Sequence, residues 1–161
     1  MNNVLKLIKN TPIVNIVVDG ISINCKCEFL LPGGSIKDRS ALECINIAKS
    51  KGILRDGQIV AEMTSGNMGA GLSIVCKAFG HPFIAFMSEG NSPQRKIQIE
   101  KFGARVVLVP QVDGSPGQVT GNDIKLASDT AIQYAINNNA YYVDQFNNEG
   151  SIVAHYINTG K

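Results

Sequence analysis

Lys37 lies in the run Pro32-Gly33-Gly34-Ser35-Ile36-Lys37-Asp38-Arg39. The pattern predicts that Ser35 caps a helix whose first turn carries Lys37 and Asp38. The apolar stripe of that helix runs Ile36, Leu42, Ile45 and Ala48, and Gly52 marks its end. A lysine so placed meets the positive end of the aligned peptide dipoles, which disfavours an ammonium. Only a neutral amine attacks an aldehyde, so the position suits Schiff-base chemistry. An ordinary exposed lysine beside Asp38 is the plainer alternative. A second run, Thr64-Ser65-Gly66-Asn67-Met68-Gly69, reads as a strand-to-helix turn with two hydroxyls, an amide side chain and glycines that let a ligand approach the backbone. Free N–H groups at a helix start favour a carboxylate or phosphate. A turn of small residues packed for helix-to-sheet contact is the structural alternative. Gly66, Gly69 and Gly71 reverse the spacing of a dinucleotide fingerprint, and no Walker-type run occurs.

The surrounding elements must bring these two runs together. A short amphipathic start (Val4, Leu5, Leu7, Ile8) is broken at Thr11-Pro12, and Ile13 to Val18 and Ile21 to Glu28 flank Asp19-Gly20 as an antiparallel hairpin. Strands are then predicted at Gln58–Met63, Pro82–Met87, Ala104–Val109 and Tyr141–Asp144. Helices fall between them: Gly66 to Phe79, a segment opened by Ser92-Pro93 and ended by Gly103, and about Asn122 to Ile136. A last helix carries Ile152, His155, Tyr156 and Ile157, with His155 read as a packing or surface residue. Gln111 to Gly121 reads as a mobile surface loop. The alternation implies an α/β fold, a doubly wound, mainly parallel sheet with flanking helices, preceded by the hairpin. Ligand chemistry belongs at the carboxyl ends of its strands, where Thr64–Asn67 and Gln145 both fall.

Bulk properties narrow the function. The 161 residues suffice for one core. Charged residues make up 17%, below the roughly 25% of an average soluble chain, a deficit that points to an interface or a missing partner surface. A net charge of +2 without basic runs argues against nucleic acid. No window resembles a signal peptide or membrane span, so a cytoplasmic protein is expected, with no membrane partner. Cys25, Cys27, Cys44 and Cys76 lack metal-ligand spacing, and no metal site is expected; Cys25 and Cys27 are read as buried residues on one strand face. Arg39 and Arg95 are read as structural or interface groups.

Asn10-Thr11-Pro12, the Pro32–Arg39 run, Thr64-Ser65-Gly66-Asn67 and Gln145-Phe146 occur in the order seen in cysteine synthases and cystathionine β-synthases, and on these motifs nearly the whole chain resembles that family. The resemblance implies a fold-type II enzyme with pyridoxal 5'-phosphate as cofactor, in the tryptophan synthase β-like fold. Lys37 would be the catalytic and cofactor-holding Schiff-base lysine, and Asn67 would bond the cofactor's ring hydroxyl oxygen. Thr64, Ser65, Asn67, the amide of Met68 and Gln145 would bind the amino-acid substrate. The implied reaction is β-replacement, in which an activated serine such as O-acetylserine and sulfide give cysteine. A serine/threonine dehydratase-type activity and a non-catalytic ligand- or partner-binding remnant are the alternatives.

The likeness also implies what differs. Met68 stands where these enzymes commonly have threonine, Leu31 where asparagine is usual, Gln94 where an acidic residue is usual and Asn148 where proline is typical. Family members continue well past residue 161, and the further part carries the cofactor phosphate loop. The chain therefore reads as a truncated N-terminal half: residues 1–30 are the helix and hairpin that pack on the second domain, and residues 31–161 are the cofactor/substrate domain. Weak cofactor binding alone, and association as a homodimer or with a complementary C-terminal domain, are expected.

Overall fold

A computed structural model describes residues 3–160, so the outermost residues of the two expected spans fall outside the description. A 3₁₀ turn, Asn3–Leu7, leads into the hairpin of β1 (Ile13–Val18) and β2 (Ile21–Lys26). Asp19 and Gly20 both take positive φ, 50° and 78°, the conformation a tight two-residue hairpin turn requires. Val18 pairs with Ile21 and Ile13 with Lys26. Asn15 donates to both Ser22 and Asn24 across the strands. The apolar side chains of the hairpin, Ile13, Val14, Ile16, Val17, Val18, Ile21 and Ile23, are all exposed.

The second sheet contains β3 (Val60–Met63), β4 (Phe83–Ser88), β5 (Arg105–Val109) and β6 (Tyr141–Tyr142), all parallel, in the order β5-β4-β3-β6. Helix α1 (Lys37–Ser50) precedes β3, α2 (Asn67–Phe79) joins β3 to β4, and α3 (Pro93–Lys101) joins β4 to β5. Helix α4 (Gly121–Asn138) carries the chain back to β6, and α5 (Glu149–Ala154) follows, continued by a π-helical turn at His155–Thr159. Right-handed crossovers explain the layers. Helices α2 and α3 advance the sheet in one direction along one face, and reversing direction to reach the far side of β3 puts α4 on the other. Two cores result. Ile45, Leu72, Val75, Phe83 and Ile99 fill the side of α1, α2 and α3. Ala61, Met63, Phe86, Ala127 and Ala131 fill the side of α4. Strands β3 and β4 are buried at every position, which explains their nearly unbroken apolar sequence.

Several boundaries differ from the sequence reading. Strand β2 stops at Lys26, so Cys27 is buried outside it while Cys25 is only half-buried. Ile36, not Ser35, holds the cap position of α1, although the Ser35 hydroxyl accepts the Lys37 N–H at 3.2 Å. The last strand shrinks to Tyr141–Tyr142 because Asp144 turns away at φ 55°. The 111–121 segment, read as mobile, is tied down. Asp123 accepts from the N–H groups of Val112 (2.6 Å) and Thr120 (2.9 Å), and Gln111 donates to the carbonyls of Ser115 and Gln118. Thr120 and Asp123 form a capping box that opens α4.

Candidate active site

The strand order reverses between β3 and β6, and a cleft of about 210 Å³ opens at their carboxyl ends. Its floor is the turn from β3 into α2. Gly66 adopts φ 153°, where side chains are strained, and a Cβ there would stand 3.1 Å from the Cδ of Arg95. Thr64 is buried, and its Oγ1 accepts from the N–H groups of Gly66 (3.2 Å) and Gly69 (3.0 Å). The Ala70 N–H then begins the helical ladder on the Gly66 carbonyl. The N–H groups of Asn67 and Met68 fall between these bonds and carry none of their own among the described residues, the ordinary state of a helix's first donors. Met68 sends its side chain into the core, leaving its backbone as its polar contribution.

Lys37 faces the same cleft from α1. The approach of α1 to α2 is close at Gly71, where a Cβ would stand 3.1 Å from both the Lys37 carbonyl and the Ala41 methyl. Nζ of Lys37 makes no hydrogen bond or ion pair among the described residues. Behind it, Arg39 is buried and bonds Glu28 through Nε (2.7 Å) and Nη2 (2.8 Å), fixing α1 to the segment before it; this is the structural role read from the sequence. His155 Nε2 lies 3.2 Å from Ser40 Oγ and Nδ1 lies 3.0 Å from Thr159 Oγ1. Burial and then the charge of Lys37 hold the imidazole below its ordinary value, which fits a neutral packing residue.

Gln145 enters from the loop after β6. Its Nε2 donates to the Met63 carbonyl at 2.7 Å and to Glu62 Oε1 at 3.1 Å. Both side-chain contacts run to β3, and the residue lines the cleft beside the α2 turn. Glu62 is fully buried, and burial, opposed by the bond from Gln145, pushes its carboxyl up to about 8. Arg95, assigned only a structural or interface role from the sequence, lines the cleft and donates through Nη1 to the Ser65 carbonyl. Its place in the first turn after a strand end, behind Ser92-Pro93, was the available signal. Ile124 arrives from the opposite face on α4, which no local motif announces. Thr64, Ser65, Asn67, Met68, Gln145 and Lys37 are therefore all brought together. The lining holds two cationic side chains and, among the described residues, no carboxylate.

Residues 4–161 match the family model described as pyridoxal-phosphate dependent enzyme. The chain belongs to the pyridoxal-phosphate dependent enzyme family. Within it, cysteine synthase B of Campylobacter jejuni is 43% identical over 158 residues, which is 97% of this chain and 50% of that protein. The cysteine synthase of Aquifex aeolicus is 33% identical across 98% of the chain and 48% of its own length. The crystal structure of O-ureido-L-serine synthase superposes with a TM-score of 0.85 at 34% identity, covering 99% of this chain and 48% of that one. The chain spans about half the length of the relatives it matches. The family's cofactor is pyridoxal phosphate, and the cleft suits its aldehyde end: an uncommitted primary amine stands in a pocket with open backbone donors and no opposing carboxylate.

Proposed function

We propose that this chain is the substrate-binding half of an enzyme that carries out β-replacement on an activated serine such as O-acetylserine, with sulfide as the incoming nucleophile and cysteine as product. One observation carries the reading: the free amine of Lys37 and the open N-terminus of α2 share one cleft at the strand-order reversal.

Lys37 Nζ would hold the cofactor through its aldehyde carbon, and the Asn67 amide would bond the ring hydroxyl oxygen. Bound pyridoxal phosphate supplies an electron sink that lowers the cost of removing a proton from the substrate's α-carbon. The substrate carboxylate fits the N–H groups of Asn67 and Met68 and the Ser65 hydroxyl, with the Thr64 proton as a further donor. Anchored there, the substrate would be held in one orientation, with Lys37 Nζ as the base placed to take the α-proton. Phe146, Met63 and Ile124 supply the apolar part of the lining. Residues 1–30 would pack on a second domain and residues 31–161 form the α/β unit. The enzyme would be cytoplasmic, and a homodimer is the proposed assembly.

The chain is to be mixed with pyridoxal phosphate, reduced with borohydride and mapped by mass spectrometry. The expected adduct lies on Lys37 and vanishes in Lys37→Ala. Cysteine formation from O-acetylserine should depend on sulfide, whereas keto-acid release without sulfide would indicate a dehydratase. No adduct at any cofactor concentration, with an amino acid still protecting the Asn67 turn from exchange, would favour a binding module instead.

A further inference from the structure

One peptide unit in the floor of the cleft is held at both ends. The N–H of Gly66 donates to Thr64 Oγ1 at 3.2 Å, and the carbonyl of Ser65, the other end of the same unit, accepts from Nη1 of Arg95. The unit leads into a glycine at φ 153°, and a residue without a Cβ offers little resistance of its own to a flip of the peptide before it. In a trans peptide the oxygen and the hydrogen point in opposite directions. A flip would therefore bring the oxygen to the Thr64 side of the turn, where it would take the hydroxyl proton. That removes a donor from the anion seat and sets a partial negative charge near it.

The packing of α3 aims Arg95 at this unit. Its stem lies against Gly66, where a Cβ would come within 3.1 Å of Cδ. One turn later Ile99, fully buried, lies against Gly69, where a Cβ would stand 2.6 Å from Cδ1. Two glycines of the α2 turn thus admit two side chains from one face of α3. Beyond that contact the arginine is exposed, forms no ion pair among the described residues and borders a second cavity of about 360 Å³, lined also by Asn91, Ser92 and Val119. Packing does not wedge the guanidinium in place, so its bond to the Ser65 carbonyl fixes both groups.

We propose that Arg95 is a positioning residue that locks the Ser65–Gly66 peptide with its carbonyl directed to α3. Thr64 then keeps its proton for a ligand, and Asn67 and Met68 present their N–H groups with no competing oxygen. The consequence for binding rests on the carboxylate seat proposed above, whereas the lock is a property of the turn and is read separately.

Hydrogen exchange at Gly66 reports the N–H end of the peptide, and the NMR shift of the Ser65 carbonyl carbon reports the other end. Gly69 donates to the same Thr64 Oγ1 at 3.0 Å from a different peptide and serves as the internal reference. In Arg95→Met, which keeps a long stem and removes the donor, Gly66 exchange should rise roughly tenfold, the Ser65 carbon should shift and Gly69 should hold. L-serine, titrated while the Met68 amide is watched, should bind roughly tenfold more weakly to this variant. Arg95→Lys, which keeps a cationic donor, should restore both properties toward wild type. Gly66 and Ser65 signals unmoved in Arg95→Met overturn the lock, and serine binding that weakens all the same would leave the arginine its charge alone. Faster Gly66 exchange with serine affinity unchanged overturns the proposal as well. If serine does not move the Met68 amide even in the wild type, the carboxylate seat falls, while the Gly66 and Ser65 signals still decide whether Arg95 holds the peptide.

Discussion

Arg39 and Glu28 form a two-pronged ion pair, Nε to Oε2 at 2.7 Å and Nη2 to Oε1 at 2.8 Å, and Thr11 is bonded to both residues. The guanidinium is buried, and this carboxylate is the anion that offsets its charge. Removing the carboxylate leaves a cation with nowhere to go. Glu28→Ala should lower unfolding stability by about 3 kcal/mol, read as a reduced urea midpoint with unchanged slope. Glu28 is held below its ordinary value chiefly by Arg39. Its contribution is therefore present above that ordinary value and fades as the pH falls through the folded one.

Glu62 has the opposite sign. Its carboxyl is raised from 4.5 to about 8, so between those values the unfolded chain has released a proton that the folded chain keeps. Stability should fall as the pH rises across that window and level off above it. Asp38, raised to about 6 by burial, adds to the lower part of the slope. Denaturation from pH 4.5 to 9 should show Glu62→Gln losing a slope worth on the order of a few kcal/mol; an unchanged slope in the variant would contradict the burial argument.

Thr120 opens α4 by accepting the Asp123 N–H, and its own N–H bonds the Asp123 carboxylate at 2.9 Å. Thr120→Ala should cost about 1 kcal/mol. The 111–121 segment hangs on the same carboxylate, so amide exchange there should accelerate more than in α1 or α2.

At Gly71 a methyl group would press on the backbone of α1 at Lys37 and Asp38, with contacts of 3.1 and 3.2 Å. Helix backbone does not yield cheaply. Gly71→Ala should push α1 off α2, cost roughly 1–3 kcal/mol and slow borohydride trapping on Lys37, while the same change at exposed, unstrained Gly121, where a Cβ meets nothing, should leave trapping intact.

Much of this was legible from residue types alone. Lys37 and the Thr64–Gly69 run announced themselves because each is local: glycines, hydroxyls and a helix start within a few residues. Their shared cleft followed from strand alternation and crossover handedness. The contacts of Gln145 were not legible, because its partners, Glu62 and the Met63 carbonyl, lie on another strand and one of them is backbone. Arg95 and Ile124 were missed for a related reason, since they reach the cleft from α3 and α4 through tertiary placement. Asn148, where proline is typical of the family, gains a local explanation: its side chain accepts the Gly150 N–H at 2.9 Å and caps α5.

The two-residue β6 has a bearing on how the molecule assembles. Strands β3, β4 and β5 are wound consecutively, but β6 reaches β3 only after the eighteen residues of α4 have packed across the far face. Pairing Val60 with Tyr141 closes a long loop for few bonds. Lys37 and the α2 turn thus sit in the consecutively wound part of the protein, and the corner holding Gln145 is joined to it only by that long closure.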